Sequence, residues 1–228
     1  MPSRAQRLNG RGTGFMEENE MQAQPELTPA PQTPQPEKQP PLYGAYTLLH
    51  DLAYILAAVT LIFVFVVRLV GVNGESMLPT LQDGDYLALQ SNVIMGDLHY
   101  GDIVVARKLS FRDGEPIVKR VIATEGQTVD VRSNGDGTAT VYVDGMALSE
   151  PYINETMLEV YGGTEFPLTV GKDCVFVMGD NRNHSADSRY AEIGQIRLDQ
   201  VMGKVLAVVF PGKNADGSRS FSRIGTVD

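Results

Sequence analysis

From Leu52 to Val67 the chain reads LAYILAAVTLIFVFVV, sixteen residues without a charge. Extending the run to Val72 gives 21 residues, interrupted only by Arg68. At about 1.5 Å per helical residue this stretch spans roughly 31 Å, close to the hydrocarbon thickness of a bilayer. Arg68 lies near one end, where its long stem can carry the charge to the interface. A cleaved leader fits worse, because the apolar block begins some fifty residues in and no small-residue cleavage pattern follows closely. The pattern predicts an uncleaved membrane anchor over residues 43–72. Charges flanking it are too sparse to fix its orientation.

Beyond the anchor the periodicity changes. Short β-branched runs separated by turn residues predict strands at Tyr86–Leu89, Ile103–Leu109, Ile117–Ala123, Thr128–Arg132, Thr140–Val143, Val175–Met178 and Val201–Phe210. Asn134-Gly135, Asp136-Gly137 and Asp144-Gly145 supply hairpin-type turns around Thr140–Val143. No amphipathic helix of comparable strength competes. Residues 73–228 therefore read as a mainly β domain, a barrel or paired sheets. Ahead of the anchor, residues 1–42 crowd Pro and Gln into the stretch from Pro25 to Pro41. That composition buries too little apolar surface to offset ordering entropy, so a disordered tail is expected there.

Composition narrows the chemistry. The 228 residues are 43% hydrophobic and 21% charged, as a core-bearing protein requires. Lys and Arg number 19 against 28 Asp and Glu, a net charge of −9. With no long basic run, binding to nucleic acid through many phosphates is not expected. A single Cys174 excludes an internal disulfide and a Cys-rich metal site. Three scattered His residues (His50, His99 and His184) make a His-rich metal site unpromising, so no metal or cofactor is expected. Beside the strand Val175–Met178, Cys174 is expected to be a buried small hydrophobe.

Three local sequences could carry chemistry. Gly74-Glu75-Ser76-Met77-Leu78-Pro79-Thr80-Leu81 follows the anchor by a few residues. Gly74 and Pro79 exclude regular secondary structure, which puts Ser76 on a rigid loop. Alone, such a serine serves as a nucleophile or simply as a turn hydrogen-bonder. Next, in Pro116-Ile117-Val118-Lys119-Arg120-Val121-Ile122-Ala123, strand alternation places Lys119 on one face with Ile117 and Val121. A lysine among aliphatics is what desolvation of an amine requires, and also what a snorkelling edge lysine looks like. The third sequence, Met178 to Arg189, is a dense polar loop after an apolar strand. Its two Asp and two further Arg could form an ion-pair frame or a solvated turn.

Taken in order, these sequences closely resemble the bacterial type I signal peptidases, membrane-bound serine proteases that remove signal peptides from exported proteins. The resemblance covers roughly residues 45–210 and rests on four stretches. They are Ser76-Met77-x-Pro79-Thr80-Leu81, Gly101-Asp102-Ile103-Val104, Lys119-Arg120-Val121, and Gly179-Asp180-Asn181-Arg182-x-x-Ser185-x-Asp187-Ser188-Arg189.

The resemblance implies a Ser/Lys dyad in a signal-peptidase-like β catalytic domain, with Ser76 as nucleophile and Lys119 as general base. It also implies that Ser185 hydrogen-bonds Lys119, that Asp187 and Arg189 hold the last motif in shape, and that Asp180 and Arg182 support them. The Ser76 N–H would be one oxyanion donor. A second donor in some relatives is a hydroxyl residue two positions earlier; here that position is Gly74, as is common in Gram-positive relatives. Implied partners are signal-peptide-bearing preproteins with an A-x-A type site, the lipid bilayer and the nearby secretion translocon. The tail would be cytoplasmic and residues 73–228 extracytoplasmic. Two rivals remain distinct. A LexA-like self-cleaving Ser/Lys repressor is disfavoured by the anchor and by the lack of a helix-turn-helix pattern. A non-enzymatic anchored ectodomain is disfavoured by the joint presence of Ser76, Lys119 and Ser185.

Overall fold

The computed structural model describes residues 40–159, 162–214 and 216–227. The tail expected over residues 1–42 lies outside them, except for its last three residues. One α-helix, α1, runs Tyr43–Phe65. Over Tyr43–Phe63 its mean hydropathy is 1.6, enough in length and composition to cross a membrane. Its large side chains are exposed all round, Leu48, Ile55 and Phe63 among them. A helix apolar on every face and uncovered by protein is suited to lipid.

The expected single helical run to Val72 is divided. After Phe65 the chain becomes a strand, β1 (Val67–Gly71), paired antiparallel with β2 (Tyr86–Ser91) from Val67↔Gln90 to Gly71↔Tyr86. The residues explain the switch. Val66, Val67, Val70 and Val72 are β-branched, which favours the pleated surface. Val70 and Val72 then pack on Leu87, Leu89 and Val205 beneath the sheet. Arg68 thus lies three residues past the helix, inside a strand.

The remaining strands are β3 (Ile103–Arg107), β4 (Pro116–Thr124), β5 (Thr128–Ser133), β6 (Ala139–Val143), β7 (Met146–Ala147), β8 (Leu168–Thr169), β9 (Cys174–Met178), β10 (Ile196–Arg197), β11 (Val201–Phe210) and β12 (Gly225–Thr226). They form two antiparallel sheets. The larger has the order β1-β2-β11-β3-β4-β9-β10, with β12 on the second half of β11. The smaller has the order β7-β6-β5-β8. Asp144-Gly145 joins β6 to β7 with both residues at positive φ (51° and 80°), the two-residue turn expected of that dipeptide.

Strands β3 and β4 sit in the middle and are buried on both faces. On β3, Ile103 and Val105 face the cluster of Met77, Leu81 and Leu87. Val104 and Ala106 face Val175, Val177 and Ile196 on the other side. β4 follows the same alternation: Ile117 and Val121 join the second cluster, Val118 the first. Ile122 and Ala123 meet Phe176 and the smaller sheet's Val129 and Val141 in a third cluster. Cys174 differs from expectation. It is half-buried, because it opens β9 opposite Arg197 at a sheet edge.

Candidate active site

Lys119 sits in the fifth strand of the larger sheet, on the aliphatic face with Ile117 and Val121, and only 4% of it is exposed. Its neighbour on β3 is Val104, and among the described residues no carboxylate forms an ion pair with it. Ser76 lies on the loop between β1 and β2. The Ser76 Oγ and Lys119 Nζ atoms are 2.7 Å apart, and Nζ donates a second hydrogen bond to Val118 O at 2.8 Å. Burial pulls the Lys119 ammonium down from 10.5 to about 8. Asp187 pushes the other way, while the Arg112 guanidinium on the β3–β4 loop lowers it further. At pH 7.4 a lysine at 8 is neutral roughly a fifth of the time, against about 0.1% for a free one. When neutral, the amine can accept the Ser76 O–H proton, whereas the ammonium can only donate.

The polar loop after β9 (residues 179–189) locks the serine loop in place. Asn181 N–H donates to Ser76 O at 3.0 Å, and the Asn181 side-chain amide donates to Glu75 O at 3.0 Å. Thr80 Oγ1 donates to Asp180 at 2.5 Å. Asp180, fully buried, also takes the Arg120 fork through Nε at 2.9 Å and Nη2 at 2.8 Å. The three motifs therefore meet in one chain of contacts: Thr80, Asp180, Arg120. A Cβ at Gly179 would collide with Ser76 O and with the Ser185 hydroxyl, so only glycine lets these strands of the site close up.

Within the loop, Asp187 accepts from Arg189 at 2.8 Å and from Gly179 N–H at 3.0 Å. Burial alone would raise the Asp187 carboxyl, but Arg189 and the Gly179 N–H hold it below the usual carboxylate range. The two Asp and two Arg do not pair among themselves alone, as the sequence allowed. Asp180 goes to Arg120, and Arg182 goes to Glu150 at 2.5 and 2.7 Å. Tyr152 then lies under the Arg120 guanidinium, 4.1 Å from its ring centre. Asn181, Thr80, Arg120, Glu150 and Tyr152 were not foreseen as site residues. The first three stand inside the quoted motifs; Glu150 and Tyr152 lie in a turn with no signal of their own.

Ser185 departs from the resemblance in one respect. Its hydroxyl is buried beside Gly179 but makes no hydrogen bond to Lys119; Nζ is engaged by Ser76 and by the Val118 carbonyl. His184 is exposed and lines the same cavity as Ser76, yet no hydrogen bond among the described residues joins its ring to Ser76 or Lys119. His99 lies in the loop after β2, where its backbone N–H is held by Asp102.

The cavity at this site measures about 260 Å³. Its walls are residues 70–77 on one side and 115–119 on the other, with Phe111, Arg112, His184 and Ala186. Both walls carry a strand edge without a neighbour. β1 ends its sheet, and β4 pairs with β9 only from Arg120 onward.

The sequence comparison decides the family. Residues 46–210 match the family described as signal peptidase, peptidase S26. The chain belongs to the signal peptidase family. It is 36% identical over 171 residues to signal peptidase I T of Bacillus subtilis, covering 70% of this chain and 81% of that one. Signal peptidase IB of Staphylococcus aureus is 34% identical over 178 residues, covering 69% and 87%. A crystal structure of a signal peptidase I from Enterococcus faecalis is 30% identical and aligns over 48% of this chain and 97% of its own, with a TM-score of 0.39. Membership of that family makes the chain a serine endopeptidase. Its Gly74 has φ +99°, a conformation costly for any residue with a Cβ, so the backbone here disfavours the Ser or Thr that could offer a side-chain oxyanion donor.

Proposed function

We propose that the chain is a membrane-anchored endopeptidase that removes signal peptides from exported preproteins, with Ser76 as nucleophile and Lys119 as general base. The 2.7 Å contact between the Ser76 hydroxyl and a buried, depressed-pKa amine carries this proposal. The Ser76 Oγ attacks the scissile carbonyl as its proton passes to neutral Lys119 Nζ. The Ser76 N–H, which donates to no described group, faces the developing oxyanion. The Lys119 ammonium then returns the proton to the leaving amine. Water, deprotonated by the same amine, hydrolyses the acyl-serine ester. Asp180, Arg182, Asp187 and Arg189 position the serine loop and the lysine, and Ser185, buried beside Gly179, is proposed to help orient Lys119.

The substrate lies extended between the free edges of β1 and β4, adding its backbone as a strand. Alternate side chains then enter the apolar wall made by Val70, Val72, Ile117 and Val118, which favours small residues of the A-x-A type one and three positions before the cut. A signal peptide's apolar segment sits in the same bilayer as α1, which raises the effective substrate concentration near the secretion translocon. Detergent-solubilised full-length protein should cut a preprotein at one site, and the new N terminus should follow an A-x-A sequence. Cleavage at scattered positions, or none beyond that of the Ser76→Ala protein, would contradict the assignment.

Residues 1–42 are proposed to be cytoplasmic and the β domain extracytoplasmic. Protease added to intact spheroplasts should degrade the domain and spare the tail; the opposite pattern would reverse the orientation.

A further inference from the structure

A second cavity, of about 470 Å³ and open to solvent, lies at the end of the larger sheet where α1 enters it. Its walls come from the start of β1, the residue after β2, the start of β11 and the end of β3, all brought to one end by the antiparallel pairing. Three arginines line it (Arg68, Arg107 and Arg197) against one carboxylate, Asp199. Asp199 is taken by Arg197 at 3.1 Å. Arg68 and Arg107 have no carboxylate partner among the described residues. In a chain of net charge −9, two uncompensated guanidinia in one cavity are an unusual concentration of positive charge.

The surroundings are apolar and exposed. Leu109 (80% exposed) lines the cavity, Val93 (69%) follows its Asn92, and Leu198 lies between Arg197 and Asp199. Large aliphatic side chains standing in solvent beside arginines match an interface where acyl chains meet anionic headgroups. Chain length sets the location, since Arg68 is three residues from the last residue of α1.

We propose that this cavity binds the phosphate of an anionic phospholipid at the bilayer surface. Arg68 and Arg107 hold the phosphate by guanidinium forks, and Leu109, Val93 and Leu198 rest among the acyl chains. The site would fix the height and tilt of the β domain against the membrane. The proposal rests on α1 being the membrane anchor.

The test is a titration of full-length protein in non-ionic detergent with a short-chain phosphatidylglycerol, followed by backbone amide NMR. Short-chain phosphatidylcholine and free glycerol phosphate serve as the other arms. Saturable shifts around residues 68, 107 and 197 are expected with phosphatidylglycerol. Phosphatidylcholine should bind at least tenfold more weakly, and so should glycerol phosphate, which lacks the chains. At about 1 kcal/mol per surface arginine, Arg68→Gln with Arg107→Gln should weaken phosphatidylglycerol binding roughly thirty-fold. Asp199→Asn, which frees Arg197, should tighten it and serves should the double variant misfold. Equal binding of both lipids would overturn the proposal, as would a phosphatidylglycerol preference that survives the double variant. The same spectra report separately on the anchor. Rapid water exchange along residues 46–63 in the micelle would reject α1 as a membrane segment, whatever the arginines do.

Discussion

Replacing Lys119 with Met is expected to lower kcat/KM toward a preprotein by four orders of magnitude or more, as loss of the proton acceptor does in serine proteases. Ser76→Ala should cost about as much, and the double variant little more than either single one, because the two groups act as one unit. Lys119→Arg should be as inactive as Lys119→Met, since a guanidinium stays charged. These losses should occur without loss of fold. A lysine whose pKa falls from 10.5 to about 8 on folding destabilises the native state at every pH below 8, and the penalty fades as pH rises toward 10.5. By that linkage the buried ammonium costs roughly 3 kcal/mol at neutral pH. Lys119→Met should therefore unfold at a temperature no lower than the wild type at pH 7. A folded Lys119→Met protein with near-normal turnover would remove Lys119 from the mechanism.

The largest stability effect is expected at Asp180. It is fully buried, accepts two bonds from Arg120 and one from Thr80, and faces a guanidinium that is 2% exposed. Asp180→Ala takes the buried carboxylate away from that buried cation, which typically costs about 3–5 kcal/mol. Arg120→Met alone should cost a similar amount, by stranding the carboxylate. The double variant should recover much of the loss, since an apolar pair needs no desolvation to be offset. Denaturant midpoints of the four proteins give the coupling directly, and it should exceed about 2 kcal/mol. Asp180→Ala should also lower activity, because Thr80 then loses its tie and the Ser76 loop its support. A loss below about 1 kcal/mol in either single variant would show that this pair does not hold the site together.

Much of this arrangement was legible in the residues. Period-two alternation from Ile117 to Val121 put Lys119 among aliphatics, and the strand does so. The Asp144-Gly145 turn could be read from its need for positive φ. The helix end was harder to read: apart from Arg68, Val66 to Val72 is as apolar as what precedes it, and its β-branched residues become a strand because β2 is there to pair with. Glu150 and Tyr152 were invisible for a related reason. Nothing local distinguishes them, and their roles come from a turn of the smaller sheet's region folding back onto Arg182 and Arg120. The residues of the polar loop alone left open an ion-pair frame or a solvated turn. Two of its four charged residues found partners elsewhere, because a buried charge takes the nearest good geometry irrespective of sequence distance.

The most direct measurement of the proposed chemistry is kcat/KM against pH, with a short A-x-A peptide, for the wild type and for His184→Ala. The limb rising with pH reports the base of the free enzyme. With Lys119 as base, activity should climb through a midpoint near 8, well below the 10.5 of an ordinary lysine, and the limb should be unchanged in His184→Ala. A midpoint near the ~6.5 of an imidazole that vanishes when His184 is removed would contradict the Ser76–Lys119 dyad.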